Sequence, residues 1–244
     1  MKAIITYYSA NENLAVLLTL LQAQLVQPEE IIIIDTSPTK HGLEIAQKFT
    51  SNSGVPVKVE CARVGIYEAW NRGIDLADGS DVIIMNDDLL IPINFIDILG
   101  LVALNSNAYC LIPNTPPNNH YQNRVDVKFP FYARLPEKKE DISVSKWMPG
   151  FCFYLSKECI RDVGIIDTKH FKCWFGDTDY QERIIKKAKR TNFMPILKIN
   201  SMFVYHFGGI SYKYKTKAIQ KVINRDRKAY AKKHTKKNKK SVQK

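Results

Sequence analysis

The sequence predicts an α/β fold with a central, mainly parallel sheet flanked by helices. Three observations lead there. Short apolar runs typical of strands alternate with segments of helical periodicity through the first half. At least one of those runs, EIIIID, is apolar at consecutive positions, as a parallel strand covered on both faces is. Acidic residues stand at the carboxyl ends of two of them, where open α/β sheets bind ligands.

Taken in order, AIITYY reads as a strand. Ser9 to Glu12, SANE, has capping-box spacing ahead of a helix whose Leu14, Leu17, Leu18, Leu21 and Leu25 fall on one face. EIIIID ends at Asp35. A helix near 43–50, a strand VPVKVEC, a helix near 66–77 and a strand DVIIMN running into Asp87 and Asp88 follow. Pro92 suits the first turn of a helix through INFIDILGLVAL, and AYCLIP is the next strand. Residues 113–147, rich in Pro, Asn and charge, read as a functional or mobile loop. Regular signals resume with MPGFCFYLS, helices near 157–163 and 178–189, and the strand INSMFVYHF. From Lys217 a helix carries Ile219, Val222, Ile223 and Tyr230 on an apolar stripe. Beyond Tyr230 almost nothing can be buried, and disorder is expected.

The 244 residues, 45% of them hydrophobic, suffice for a sizeable core. The net charge of +12 is not spread over the chain. Residues 213–244 hold 14 Lys and Arg against one acid, a net of +13; the preceding 212 residues hold 22 basic and 23 acidic side chains, a net of −1. The body is neutral and the basicity belongs to its end. Five cysteines, odd in number and without a C-x-x-C pair, suggest neither a disulfide framework nor a zinc site. KAIITYY is unlike a signal peptide, and LAVLLTLL is far shorter than the roughly 20 residues of a membrane span. A soluble, cytoplasmic protein is expected.

The turn after the first strand, YSANEN, lacks the G-x-G-x-x-G of dinucleotide sites, and no Walker motif is present. Asp87 and Asp88 at a strand end can supply the oxygen ligands that Mg2+ or Mn2+ takes alongside phosphates, or can simply form the turn into the next helix. In FGDTDYQER, Asp177 and Asp179 stand where carboxylates cap a helix, which accounts for one of them comfortably. His206 ends a strand before two glycines, open enough to reach a ligand.

Together these features resemble the family 2 glycosyltransferases of the GT-A fold. The matching stretches run in the family's order over about residues 1–212: the first strand and helix, Asp35, GIYEAWNRGIDLADGSDVIIMNDD, MPGFCFYLSKECIRDVGIIDTKHFKCWFGDTDYQER and HFGGIS. The resemblance implies a nucleotide-sugar-binding half (1–112), an acceptor-binding and catalytic half (113–212) and a basic helix and tail (213–244). It implies that Asp35 recognises the base and that Gly65, Tyr67, Asn71 and Gly73 line the nucleoside pocket. Asn86 and Asp88 occupy the outer positions of the D-x-D motif, with Asp87 between them; Asn86 departs from the usual Asp. Asp88 and His206 would hold the metal, Mn2+ or Mg2+. Asp177 would be the general base, with Asp179 the alternative, although Gly176 stands where the family has an acid. Trp174 would form an acceptor wall or simply pack.

The activity so implied is transfer of a sugar from a UDP-, GDP- or dTDP-linked donor to an acceptor hydroxyl, with inversion. The acceptor stays open between a glycan, a lipid-linked sugar and modified DNA. Tyr121, Phe129, Phe131 and Tyr132 in the insertion can stack on a sugar or a base, or pack the loop. The basic end admits a solubilising tail, an anionic membrane contact or a nucleic-acid contact; the last would suit a DNA-modifying glycosyltransferase. A nucleotidyltransferase and a non-catalytic basic module remain as other classes. A glycosidase ranks well below transfer, having no use for a diphosphate-binding metal.

Overall fold

The computed structural model describes residues 1–9, 11–50, 54–116, 131–207 and 217–241. The first half is wound as expected: β1 (Lys2–Tyr7), α1 (Asn11–Gln22), β2 (Ile31–Asp35), α2 (His41–Thr50), β3 (Val57–Cys61), α3 (Ile66–Leu76) and β4 (Val82–Asn86). A two-residue strand β5 (Leu89–Leu90), helix α4 (Phe95–Ser106) and strand β6 (Ala108–Asn114) follow. Next come β7 (Ile142–Val144), β8 (Cys152–Leu155), α5 (Lys157–Val163), α6 (Gly176–Ala188), β9 (Met194–Phe203), β10 (Tyr205–His206) and α7 (Lys217–Ser241).

Eight strands form one sheet in the order β3-β2-β1-β4-β8-β6-β9-β7. β3, β2, β1 and β4 are mutually parallel, β8 is antiparallel between β4 and β6, β9 is parallel to β6, and β7 closes the edge antiparallel. The four consecutive isoleucines of β2 explain why this sheet needs helices on both faces. Ile31 and Ile33 join α1 and α4 in one core cluster; Ile32 and Ile34 join α3, α5 and α6 in the other. Because side chains alternate across a strand, every residue of the run is buried on one side or the other, worth about 1.5–3 kcal/mol per isoleucine.

Four expectations are corrected. Leu25 lies past the end of α1 and is 60% exposed, so the apolar face of that helix stops at Leu21. Pro92 precedes α4 rather than entering it: its carbonyl accepts from Phe95 N and Gln24 Nε2, and Asn94 is the N-cap. The insertion contains an ordered edge, β7, because Ile142 to Val144 pair with β9. Nor is Tyr230 the last residue to dock: beyond it on α7, Lys233 and His234 find carboxylates on the body. No helix among the described residues is long and apolar enough to cross a membrane.

Candidate active site

The rim expected from the sequence is built by strand register. Tyr7 pairs with Asp35 across β1 and β2, and Thr6 pairs with Asn86 across β1 and β4, so β1 separates the two acidic strand ends by about 10 Å. Asp35 is buried. Its Oδ1 accepts from Ser37 N at 2.8 Å, while its Oδ2 meets no hydrogen-bond donor among the described residues. Gly42, at the start of α2, allows this geometry: a Cβ there would lie 2.8 Å from Asp35 Oδ2 and 2.7 Å from Tyr7 Cδ1. Burial, then the charges of Asp35 and Asp87, push the Tyr7 hydroxyl up to about 12, so it stays protonated and donates to Asn11 Oδ1.

The second strand end acquires its partner through two strands too short to leave a periodic signal. β5 and β10 pair antiparallel, His206 opposite Leu89, and Phe207 N donates to the Asp88 carbonyl at 2.9 Å. This brings His206 Nε2 to 3.1 Å from Asp88 Oδ1 and 3.4 Å from Asn86 Nδ2. The approach to Asp88 is within ion-pair distance but outside hydrogen-bond geometry, so among the described residues Asp88 Oδ1 meets no hydrogen-bond donor, and neither does Asn86 Oδ1. A buried acceptor left so costs about 1–3 kcal/mol unless a cation or donor meets it. Two oxygens and an imidazole nitrogen suit Mn2+ or Mg2+ when a diphosphate supplies further ligands. The protein's share is small: among the described residues no three His, Cys, Asp or Glu side chains converge on one point. Asp87 turns away, its Oδ2 accepting from Tyr8 N at 3.2 Å, and ties the end of β1 to the rim.

Asp177 begins α6, half-buried. Its Oδ1 accepts from the Tyr67 hydroxyl at 3.1 Å and from Thr178 N at 2.9 Å; its Oδ2 lies over Gly150, where a Cβ would stand 2.5 Å away. Burial, then the Asp177 charge, holds the Tyr67 hydroxyl well above the usual tyrosine range, so it serves as a donor. Gly176 has its own reason: a Cβ there would meet the Tyr67 ring at 2.5 Å, so Tyr67 occupies the space the family's acid would need. Phe151, next to Gly150, stacks on His206 with ring centroids 4.3 Å apart, and its carbonyl accepts from Asn86 N at 2.9 Å. Consecutive Cα atoms are about 3.8 Å apart. The Asp177 carboxylate and the Asn86, Asp88 and His206 group therefore both adjoin the Gly150–Phe151 unit.

The structure redistributes the remaining candidates. Asp179 is fully buried and held by Arg183, Lys233 and His234, so its carboxylate is a structural anchor closed to an acceptor. Of the α3 residues expected around the nucleoside, Gly65, Tyr67 and Asn71 face the chain between Ile166 and Asp177, and Gly73 faces β1. Gly65 packs on the Lys172 carbonyl, which a Cβ would meet at 2.7 Å, and Tyr67 holds Asp177. Asn71 exchanges two hydrogen bonds with the Ile166 backbone, while Gly73 lets α3 settle on Ile4 of β1. Trp174 is exposed three residues before Asp177, as is Trp147 three residues before Gly150. Phe131 and Tyr132 are exposed; Tyr121 and Phe129 lie outside the described residues. Sequence reasoning missed Gly42 and Gly150, because the need for a missing side chain is set by what packs against it.

Comparison with known proteins addresses the fold and the family. A search of curated proteins finds no match. Among solved structures, the fold matches GalNAc-T7 with UDP, GalNAc and Mn2+ at a TM-score of 0.61 and 17% identity, over 84% of this chain and 43% of that one. It matches residues 1–349 of S. aureus TarS at 0.58 and 14%, over 83% and 59%. It matches the mannosyltransferase PcManGT from Pyrobaculum calidifontis, in complex with GDP-Man and Mn2+, at 0.60 and 12%, over 83% and 55%. The chain thus spans about half the length of these proteins, and the likeness at such identities is one of fold, the GT-A fold. The model of the family described as "Glycosyl transferase family 2" matches residues 3–157, and with well over half of its length inside that match the chain belongs to glycosyl transferase family 2.

Proposed function

We propose that this chain transfers a sugar from a nucleoside diphosphate sugar to an acceptor hydroxyl by one inverting displacement. The observation that carries the reading is the Gly150–Phe151 unit, whose glycine lies against the Asp177 carboxylate and whose phenylalanine stacks on His206 beside Asn86 and Asp88. A displacement at an anomeric carbon needs both groups: negative charge grows on the leaving diphosphate while a proton departs from the attacking hydroxyl.

Asp35 Oδ2, buried and without a donor among the described residues, is matched to an N-H of the nucleobase. Asn86, Asp88 and His206 would hold the divalent ion, Mn2+ or Mg2+, with Asp87 fixing the rim beside them. When bound, that ion supplies positive charge that stabilises the leaving diphosphate without a proton. Asp177 accepts the proton of the acceptor hydroxyl as the oxygen attacks, and Tyr67 and Thr178 N keep its Oδ1 occupied so that Oδ2 faces the reaction. Trp174 offers an exposed aromatic face to the acceptor. Gly65 acts from behind, on the segment that carries the base, Asn71 on the Ile166 backbone ahead of it, and Gly73 on β1. The outward residues of α7, Lys217, Lys221, Arg227, Lys228 and Lys232, are exposed and basic, which favours an acceptor presented on an anionic surface.

The test is Asp177→Asn against a panel of UDP-, GDP- and dTDP-sugars with Mn2+. Transfer is abolished while nucleotide binding stays measurable, and the product released by the unaltered protein is a nucleoside diphosphate. Full activity in the variant would remove Asp177 as the base. Pyrophosphate as the product would point to nucleotidyl transfer.

A further inference from the structure

Helix α7 lies beyond the family match, yet its inner face is fastened to the segment that leads into Asp177. Asp226 is fully buried, and its Oδ2 accepts from three consecutive backbone groups: Lys172 N at 2.8 Å, Cys173 N at 2.9 Å and Trp174 N at 3.2 Å. Arg225 takes its Oδ1 at 2.8 Å. One turn on, Tyr230 stacks on Phe175, centroids 5.3 Å apart, and bonds Glu182 through its hydroxyl. A further turn on, Lys233 lies 2.8 Å from both Asp167 and Asp179, and His234 bridges Asp179 at 3.0 Å and Glu182 at 2.6 Å. Positions 226, 230, 233 and 234 share one helix face.

The segment so held ends on a residue of unfavourable backbone conformation. Phe175 sits in the left-handed region at φ 65°, a conformation that costs a non-glycine residue of order 1–3 kcal/mol and persists where its surroundings impose it. On its other side the turn is pressed against Gly65, whose missing Cβ admits the Lys172 carbonyl. Residues 172–175 are thus clamped between α3 and α7. They carry Trp174 and end two residues before Asp177.

We propose that Asp226 is a positioning residue for sugar transfer: by gathering the amides of Lys172, Cys173 and Trp174 on one carboxylate oxygen, it sets the turn that places Trp174 and Asp177 against the acceptor. The inference rests on the reading of Asp177 as the base. A neutral group cannot replace the carboxylate, because three N-H groups converging on one oxygen are held by its charge. The basic helix is then part of the catalytic unit rather than an appendage.

The experiment compares full-length protein with Asp226→Asn, Asp226→Glu and Tyr230→Leu. Asp226→Asn lowers kcat/KM for a p-nitrophenyl glycoside acceptor by about tenfold or more, the scale of a lost charge-assisted bond. Affinity for UDP or GDP with Mn2+ changes by less than about twofold, since charge-assisted contacts on the acceptor side do not reach the rim of β1, β2 and β4. Amide exchange at residues 172–174 accelerates, and Asp226→Glu recovers part of the rate. Tyr230→Leu, which leaves no buried charge unpaired, gives the same split more weakly. Unchanged amide exchange at residues 172–174 in the Asp226 and Tyr230 variants would overturn the proposal, as would faster exchange with undiminished transfer, or nucleotide affinity lost in step with rate. An active Asp177→Asn protein would instead defeat the base assignment, so the two failures are distinct.

Discussion

Gly150 stands under Asp177 so closely that a Cβ on the glycine would lie 2.5 Å from Asp177 Oδ2. The atom displaced by such a side chain is the end of a half-buried carboxylate, not backbone. Gly150→Ala therefore changes stability by less than about 1 kcal/mol, yet turns the carboxylate away from the acceptor. A displacement on the order of 1 Å can cost about 100-fold in rate. Steady-state kinetics beside a thermal melt checks this; an active variant would show that Oδ2 does not face the reaction.

Beside the same peptide unit, Asp88 and His206 are the pair proposed to hold the divalent ion together. Asp88→Asn and His206→Ala are each expected to abolish the part of nucleotide-induced thermal stabilisation that depends on Mn2+, because a ligand stabilises only in proportion to its affinity for the folded state. The residual shift with UDP or GDP alone remains. A full Mn2+-dependent shift in both variants would remove these residues from the metal site.

Gly42 predicts a different loss. Alanine there pushes on Asp35 Oδ2 and on the Tyr7 ring, both within 3 Å of the new Cβ. Nucleoside diphosphate affinity should fall about tenfold, the worth of one hydrogen bond to a charged group, with kcat at saturating donor unchanged. Calorimetric titration separates this outcome from a general loss of fold.

Acid should loosen α7. Burial pushes the Asp167 carboxyl up, but hydrogen bonds from Lys233 and His170 outweigh it and hold the group at about 2 against an ordinary 3.8. Asp226 is lowered as well: burial opposes, and the Cys173 amide, Arg225 and the Lys172 and Trp174 amides prevail. A carboxylate with a depressed folded value stabilises fully above its unfolded value and loses that contribution as pH falls through the folded one. Urea stability should therefore drop between about pH 4 and pH 2. Asp167→Asn should flatten the drop; equal slopes would show that the Asp167 pairing does not stabilise the fold.

The parts of the fold legible in the sequence are those with a period. The isoleucine run of β2 and the leucine face of α1 declare burial by their spacing, and Asp35 and Asp88 follow because a polar residue ending an apolar run must emerge at a strand end. Chemistry alone could not separate Asp177 from Asp179. Both suit a helix N-terminus, and only the arrival of Arg183, Lys233 and His234 around Asp179 closes it. Nor could Asn71 be assigned from its motif, since its partner, the Ile166 backbone, is 95 residues away.

By itself the sequence determined the doubly wound first half, the two acidic strand ends and the family, because apolar periodicity and residue order are local properties that survive without a partner. The tertiary structure alone decided what faces what. His206 reaches Asp88 through a two-residue strand pairing, Gly150 and Gly42 act by the side chains they lack, and α7 reaches back to the turn before Asp177 through one buried carboxylate. Each is a long-range contact whose energy belongs to a pair, and no window of the chain contains both members.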